Sequence, residues 1–416
     1  MMKRHLLSLF IAINALSRVH GQHTDIRNEY ALPDSARYSV GLSSEYFFAS
    51  DALTNRLAQD YLLHRFIDDP VKDAVSEQSS DLNRFGLAFN GAIEFLHRPD
   101  SSKTHYIFSL QHHLFVDSKF RNDLFDLYFR GNKPFAGDTA YVRNSSFRLL
   151  FYYQAGAGAA GSSLNGKIRW YGLGSFLIGH DLLDVKATNG WIYTSPDGEF
   201  IDSDMHLTFR QSDSAGTAPT TMNGAGASMT AGISVATGEN GRIHFGVRNL
   251  GFIHFFERSS FAEVDTNLRF EGIDATDLFD FSDSITGIID DSTLVQQYIV
   301  NRRKESFNAA TPGQIDLWHE QGLLKNNLSL ALGTRLYLRN TSIPLVWTEV
   351  SVRLSPHHTF RLRAQYGGYT ELTAGPGFEY DNGKWNFRIG SDFLSEWLDA
   401  EKGTAQGAFL SLQKSF

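Results

Sequence analysis

Through residues 326–416 apolar and polar side chains alternate in six short runs, and the chain ends on an aromatic residue. In the last run Ala408, Leu410, Leu412 and Phe416 share one face, with Phe409, Ser411, Gln413 and Ser415 on the other. The run before it sets Trp385, Phe387, Ile389 and Phe393 against Asn386, Arg388, Gly390 and Asp392. Successive side chains of a strand point to opposite faces, so each run predicts a strand with one apolar and one polar wall. In a transmembrane barrel the apolar wall meets lipid and the polar wall lines the lumen.

The same alternation recurs upstream. Tyr38, Val40 and Leu42 oppose Ser39, Gly41 and Ser43, and within 82–96 Phe85, Leu87, Phe89, Ile93 and Phe95 oppose Arg84, Gly86, Asn90 and Glu94. Further strands are expected over 106–116, 146–153 and 223–235. Asn165-Gly166, Asn189-Gly190, Asp197-Gly198 and Asn240-Gly241 predict tight turns.

Three stretches depart from period two. Leu53, Leu57, Tyr61 and Phe66 predict one amphipathic helix within 51–69, ended by Asp69-Pro70 and packed over the barrel mouth, the alternative being contact with a partner or the membrane surface. Residues 122–138 predict a short helix and a glycine-bearing loop. Residues 274–322 are acidic, with Ile285, Ile288, Ile289 and Leu294 at helical spacing, and predict a long, partly helical loop. The expected fold is all-β. It is a transmembrane antiparallel β-barrel over 37–416, of roughly 14 strands at about ten residues each, with some helical loop segments.

The N-terminus begins Met1-Met2-Lys3-Arg4-His5, runs apolar from Leu6 to Leu16, and reaches Val19-His20-Gly21 before Gln22. That order predicts a secretory signal peptide over 1–21, cleaved near Gly21, followed by an irregular lead-in over 22–36. No later run approaches the roughly 20 apolar residues of a spanning helix. Mean hydropathy is mildly negative, as expected where the membrane signal lies in alternation. With no cysteine, disulfides, thiolate metal sites and a lipoprotein anchor are excluded. The net charge of −8 argues against nucleic acid as a partner.

Three segments occur in a telling order: Phe129-Arg130-Gly131-Asn132-Lys133-Pro134-Phe135-Ala136-Gly137, then Leu250-Gly251-Phe252-Ile253, then Leu268-Arg269-Phe270-Glu271-Gly272-Ile273-Asp274. Together they resemble an uncharacterised family of Bacteroidetes outer-membrane proteins, catalogued as a domain of unknown function. That family's barrels are broadly similar to those of the fatty-acid-transporter type. The resemblance implies the Gram-negative cell outer membrane and transport or uptake of a small, hydrophobic ligand. It brings no catalytic residues.

Local motifs add little chemistry. Residues 156–161 spell a dinucleotide fingerprint, but no helix is expected after them, so they predict a flexible hairpin loop. Asp274, Asp277, Asp280, Asp283, Asp290 and Asp291 lack the ligand spacing of a calcium loop. His112-His113 and His357-His358 are strand neighbours that face opposite ways and cannot grip one metal from one wall. No Gly-x-Ser-x-Gly elbow occurs, and no catalytic, cofactor or metal site is expected.

The residues expected to line the lumen are Arg335, Arg339, Arg353, Arg361, Arg363 and Arg388, accompanied by Glu349, Glu371, Glu379 and Asp392. They predict either a polar conduit with a ligand site or a cross-strand ionic network that stabilises the inner wall. Trp347, Tyr366, Tyr369, Tyr380, Trp385 and Trp397 are candidates for an interfacial girdle, with Trp347 on the inward parity. The expected function is transport of a small ligand by a non-enzymatic barrel surrounded by outer-membrane lipid. The alternative is a structural or accessory barrel of an envelope secretion or assembly complex.

Overall fold

Alternation with no hydrogen-bond partner inside lipid forces a sheet to close on itself, because every backbone group must be paired. The computed structural model describes residues 30–99, 102–213, 221–271, 299–399 and 401–416. The expected signal peptide and residues 22–29 lie outside them. In chain order the strands are β1 (Tyr38–Ser50), β2 (Leu82–His97), β3 (Thr104–Arg121), β4 (Thr139–Tyr141), β5 (Ser145–Ser163), β6 (Ile168–Thr194), β7 (Phe200–Gln211), β8 (Gly224–Thr237), β9 (Gly241–Phe255) and β10 (Ser260–Glu271). There follow β11 (Ile299–Lys304), β12 (Phe307–Ala310), β13 (Gly313–Leu323), β14 (Leu328–Leu338), β15 (Ile343–Ser355), β16 (His358–Gly368), β17 (Thr370–Asp381), β18 (Trp385–Gly390) and β19 (Ala405–Ser415).

Fourteen of these form a closed antiparallel wall. The order is β1-β2-β3-β5-β6-β8-β9-β13-β14-β15-β16-β17-β18-β19. The seam runs from Ser39 opposite Ser415 to Ala49 opposite Ala405. Outward side chains form an exposed apolar belt: Leu42, Phe108, Leu110, Phe176, Phe252, Leu332 and Leu362 are each at least half exposed. Such a belt on a closed wall is what lipid requires. Among the described residues no helix is long and apolar enough to cross a membrane.

Both ends of the barrel sequence lie at one rim, where short turns such as Leu164–Gly166 and Leu324–Asn326 join the strands. Asn165 and Gly166 there take φ of 57° and 83°, the left-handed pair that the Asn-Gly dipeptide predicts. At the opposite rim β6 continues past the wall. Its residues 168–179 pair with β8 and its residues 183–194 pair with β7. β7 pairs with β10, and β10 with β11, so a sheet stands above the barrel.

Several expectations change. Residues 299–322 run as β11, β12 and most of β13, not as a partly helical loop. The helical spacing lies within 274–298, outside the described residues, whereas Gln314-Ile315-Asp316-Leu317-Trp318 alternates. The Gly156–Gly161 run is the lower half of β5 and not a hairpin loop. A Cβ on Gly158 would lie 2.7 Å from Leu173 Cα, so glycine is needed where β5 and β6 approach. Asn189-Gly190 sits inside β6 beside a register shift, a bulge in place of a turn.

The expected single helix over 51–69 is two: α1 (Asn55–Leu62) and α2 (Asp69–Gln78). Thr54 caps the first by accepting from the Leu57 N–H, and Asp68 caps the second by accepting from the Val71 N–H. Pro70 therefore opens a helix, because a missing N–H costs nothing in a first turn. A third helix, α3 (Asn122–Arg130), packs with them around Leu57, Val75 and Phe125. Phe85 and Phe120 join this cluster from the outward faces of β2 and β3, so the three helices lie against the outside of the rim.

Candidate functional site

The inner wall is polar in its middle, and chain segments enter the lumen at both ends. At the terminus-bearing rim, residues 30–36 enter the lumen. Tyr30, Leu32 and Ala36 are buried against Leu96 of β2, Ile107 of β3, Ala160 of β5 and Leu173 of β6. The segment has no secondary structure of its own, so its carbonyls need side-chain donors. Arg98 donates to Leu32 O at 2.7 Å and to Pro33 O at 2.9 Å. His105 Nε2 lies 2.6 Å from Tyr30 O, and Gln413 Nε2 donates to Ala31 O at 3.2 Å. The lead-in is thus a stopper tied to three wall strands.

At the opposite rim three connections fold inward. Gly367 and Gly368 take φ of 103° and 74°, which turns the chain so that Tyr369 enters the lumen. The Tyr369 hydroxyl donates to Asp117 of β3 at 2.7 Å. Thr341, in the β14–β15 connection, donates to the same oxygen from its backbone N at 2.9 Å and its hydroxyl at 2.7 Å. Asp117 therefore ties together two connections from the far side of the ring. Below it Phe47, Phe115, Tyr369 and Phe393 pack as an apolar layer. Phe393 is fully buried here and not on the lipid face, because β18 ends at Gly390 and parity is lost beyond it.

Gly86 makes room for this layer: a Cβ there would sit 2.5 Å from Tyr369 Cδ2. Gly86→Leu is expected to push Tyr369 off Asp117 while leaving the wall closed. The check is trypsin cleavage after Arg339, which should become rapid in the variant and stay slow in the parent protein.

Between the two closures lies a cavity of about 180 Å³. Tyr30 forms part of its floor, and Glu45, Asn90, Glu94, His113, Arg248 and Arg388 line it. His113 Nδ1 lies 2.9 Å from Asn90 Oδ1 and Nε2 lies 3.1 Å from Gln111 Oε1, and its ring stacks on Tyr152 at 4.6 Å. Below the stopper a vestibule of about 890 Å³, lined by Arg98, His105 and Tyr171 among others, opens at the rim.

The charged residues singled out from alternation divide into two groups. Arg335, Arg361, Arg363, Arg388 and Glu379 are on the inner wall, Asp392 is in the connection just beyond β18, and all are largely removed from solvent. Arg363 lies 2.9 Å from Glu349 and 3.7 Å from Asp392, with its guanidinium 4.4 Å over the Trp347 ring. Arg335 pairs with Asp316 at 2.6 Å, and Arg248 approaches the other Asp316 oxygen at 3.7 Å. Arg361 pairs with Glu379, which Arg388 approaches at 3.8 Å. These contacts cross neighbouring strands and leave little charge uncompensated, the arrangement of a structural ladder. Arg339, Arg353 and Glu371 are exposed near the ends of their strands and outside the ladder, and Arg353 lines a separate pocket of about 490 Å³ with Arg361 and Glu379. Of the named set only Arg388 reaches the cavity.

Alternation did not single out Asp117, Arg98, His105, Glu45 or Arg248. Each falls on inward parity in its strand or at a strand end, so parity was the available signal. What it could not supply is the partner, 224 residues away in the case of Asp117 and Thr341. Ser355 Oγ lies 2.8 Å from His358 Nδ1, where the pair closes a hairpin turn. Among the described residues no group of three metal-ligating side chains converges.

The chain belongs to a family of unknown function, DUF5723, whose model matches residues 22–392. Among solved structures it is similar to the Pseudomonas putida toluene transporter TodX, with 10% identity, 96% of this chain and 95% of that one covered, and a TM-score of 0.43. It is similar also to the Ralstonia pickettii toluene transporter TbuX, with 10% identity, coverage of 96% and 97%, and a TM-score of 0.45. A Pseudomonas aeruginosa FadL homologue matches at 8% identity, 93% of each chain and a TM-score of 0.43. No curated protein matches the sequence.

Proposed function

We propose that this protein is a gated outer-membrane channel for uptake of a small, partly apolar ligand. The observation that carries the reading is the cavity of about 180 Å³ between the chain segments that enter the lumen at its two ends. A barrel that served only as a scaffold would gain stability by filling that space with side chains. Long connections at one rim and short turns at the other support a periplasmic position for the terminus-bearing rim. The ligand then passes the layer of Phe47, Phe115, Tyr369 and Phe393, pauses in the cavity, and leaves when residues 30–36 withdraw.

The lining refines the chemistry. Glu45, Asn90, Glu94 and His113 suit a ligand with a hydrogen-bonding end, and the aromatic layer above suits an apolar body. The ladder of Arg363, Glu349 and Asp392 holds the wall in shape and is not a ligand site.

The test uses proteoliposomes and two probes, phenol and hexanoate. The wild-type barrel is expected to admit at least one of them faster than protein-free vesicles. Ala92→Phe, which places a ring in the cavity, is expected to return influx to that of protein-free vesicles. Equal influx through wild type and Ala92→Phe would contradict the cavity's role. The accessory-barrel reading is favoured by one feature, an exposed apolar loop at the outer rim.

A further inference from the structure

That loop has a closer explanation. Phe48 of β1, Phe85 of β2, Phe120 of β3 and Phe147 of β5 all carry lipid-facing parity at the upper ends of their strands. Phe85 gathers the other three at 6.3–6.5 Å between ring centroids. Phe48 and Phe120 are nevertheless only 5% and 7% exposed. The helices α1, α2 and α3 sit against the outer wall at this height, with Leu57, Val75 and Phe125 packed in the same cluster as Phe120. The outward apolar face of the barrel wall therefore extends beneath the helices.

The helices expose a second apolar surface of their own. Phe66 is 88% exposed, and Tyr61, Leu63 and Tyr128 are at least a third exposed beside it. The Tyr61 and Tyr128 hydroxyls lie 3.1 Å apart, joining α1 to α3, and the Tyr61 ring meets Phe129 edge-on at 6.4 Å. The connection after α1 is held in shape: His64 takes φ of 53°, and Asp60 receives both Arg56, at 2.5 Å, and the exposed Arg65, at 3.6 Å. Four large apolar or amphipathic side chains in water would be costly, whereas tyrosine and phenylalanine beside arginine suit a membrane–water boundary.

We propose that α1, α3 and the 63–68 connection form a membrane-surface anchor, in which Tyr61, Leu63, Phe66 and Tyr128 enter the headgroup region of the surrounding bilayer. The occupant is lipid because the helices that carry this surface pack against Phe85 and Phe120 on the lipid-facing side of the wall. The anchor rests on the reading of the barrel as membrane-spanning. It fixes the height of the helices relative to the upper rim, as an interfacial helix does by burying its apolar face at the acyl boundary.

The chain has no cysteine, so single cysteines can be labelled cleanly. Phe66→Cys, Leu110→Cys in the belt and Asp197→Cys in the β6–β7 turn are each spin-labelled in the full-length protein. They are reconstituted at one barrel per nanodisc of phosphatidylethanolamine and phosphatidylglycerol. Accessibility to an aqueous nickel chelate and to dissolved oxygen is then read. The label at 66 is expected to be at least about threefold less accessible to nickel than the label at 197, as for a residue a few ångströms below the surface. The label at 110 should be protected further still. Nickel accessibility at 66 equal to that at 197 would overturn the anchor while protection at 110 upholds the membrane reading. Exposure at 110 would overturn both. Protection at 66 that appears only at several barrels per disc would assign the surface to a second copy and overturn the lipid assignment.

Discussion

Arg363→Ala destabilises the barrel by roughly 3–5 kcal/mol, the cost of leaving buried charge without its partner. Glu349 is 1% exposed, and Asp392 is nearly as deep. Arg363 answers both carboxylates, donating to Glu349 from Nε at 3.1 Å and from a terminal nitrogen at 2.9 Å. Alanine removes the counter-charge and cannot relieve the burial, since the carboxylates are fixed on β15 and just beyond β18. The effect is read as a loss in the urea midpoint of the barrel in phospholipid vesicles. Trp347 fluorescence is a direct reporter, because the guanidinium lies over its ring at 4.4 Å. Glu349→Leu combined with Arg363→Met should recover much of the loss, because an apolar pair of similar size needs no desolvation of charge. A change in Arg363→Ala below about 1 kcal/mol would mean that the pair is solvated like a surface bridge.

Asp117→Ala loosens the upper closure and leaves the wall intact. One carboxylate oxygen of Asp117 accepts three hydrogen bonds, two from Thr341 and one from Tyr369. A hydrogen bond to a charged group contributes about 1.5–3 kcal/mol. Losing the one to the Thr341 N–H should therefore speed exchange of that amide by roughly 10- to 100-fold. Asp117→Asn keeps an acceptor and should show a smaller increase. Unchanged exchange in Asp117→Ala would show that the inward connections are held by packing around Phe393 alone.

The wall was legible because a barrel writes its fold into period two. Residues 326–416 contain six strands, β14 to β19, and the inward parity of Glu349, Arg363 and Glu379 followed directly. Legibility failed where a strand ends or a period changes without a marker. Phe393 shares parity with Trp385, yet the strand stops at Gly390 and the ring turns into the lumen. Asp69-Pro70 looks like a terminator, and only the Asp68 cap on Val71 shows that it begins a helix.

The closures were illegible for a different reason. Tyr30-Ala31-Leu32-Pro33 carries no periodicity, and its place is set by Arg98, His105 and Gln413 reaching across from three strands. Asp117 in isolation is one more polar residue on an inward face. Its significance comes from connections across the ring, and alternation describes one strand at a time. The cavity is a property of what does not meet, which no local pattern records.

If residues 30–36 below and the Asp117 tie above shut the lumen at rest, the barrel passes no ions until both are removed. Single-channel conductance in a planar bilayer tests it most directly. The comparison is between the wild-type barrel and a variant lacking residues 22–36 that also carries Asp117→Ala. The wild type is expected to be silent and the variant to show stable, stepwise, ohmic openings. A wild type that conducts steadily, or a variant that stays silent while folded, would contradict it.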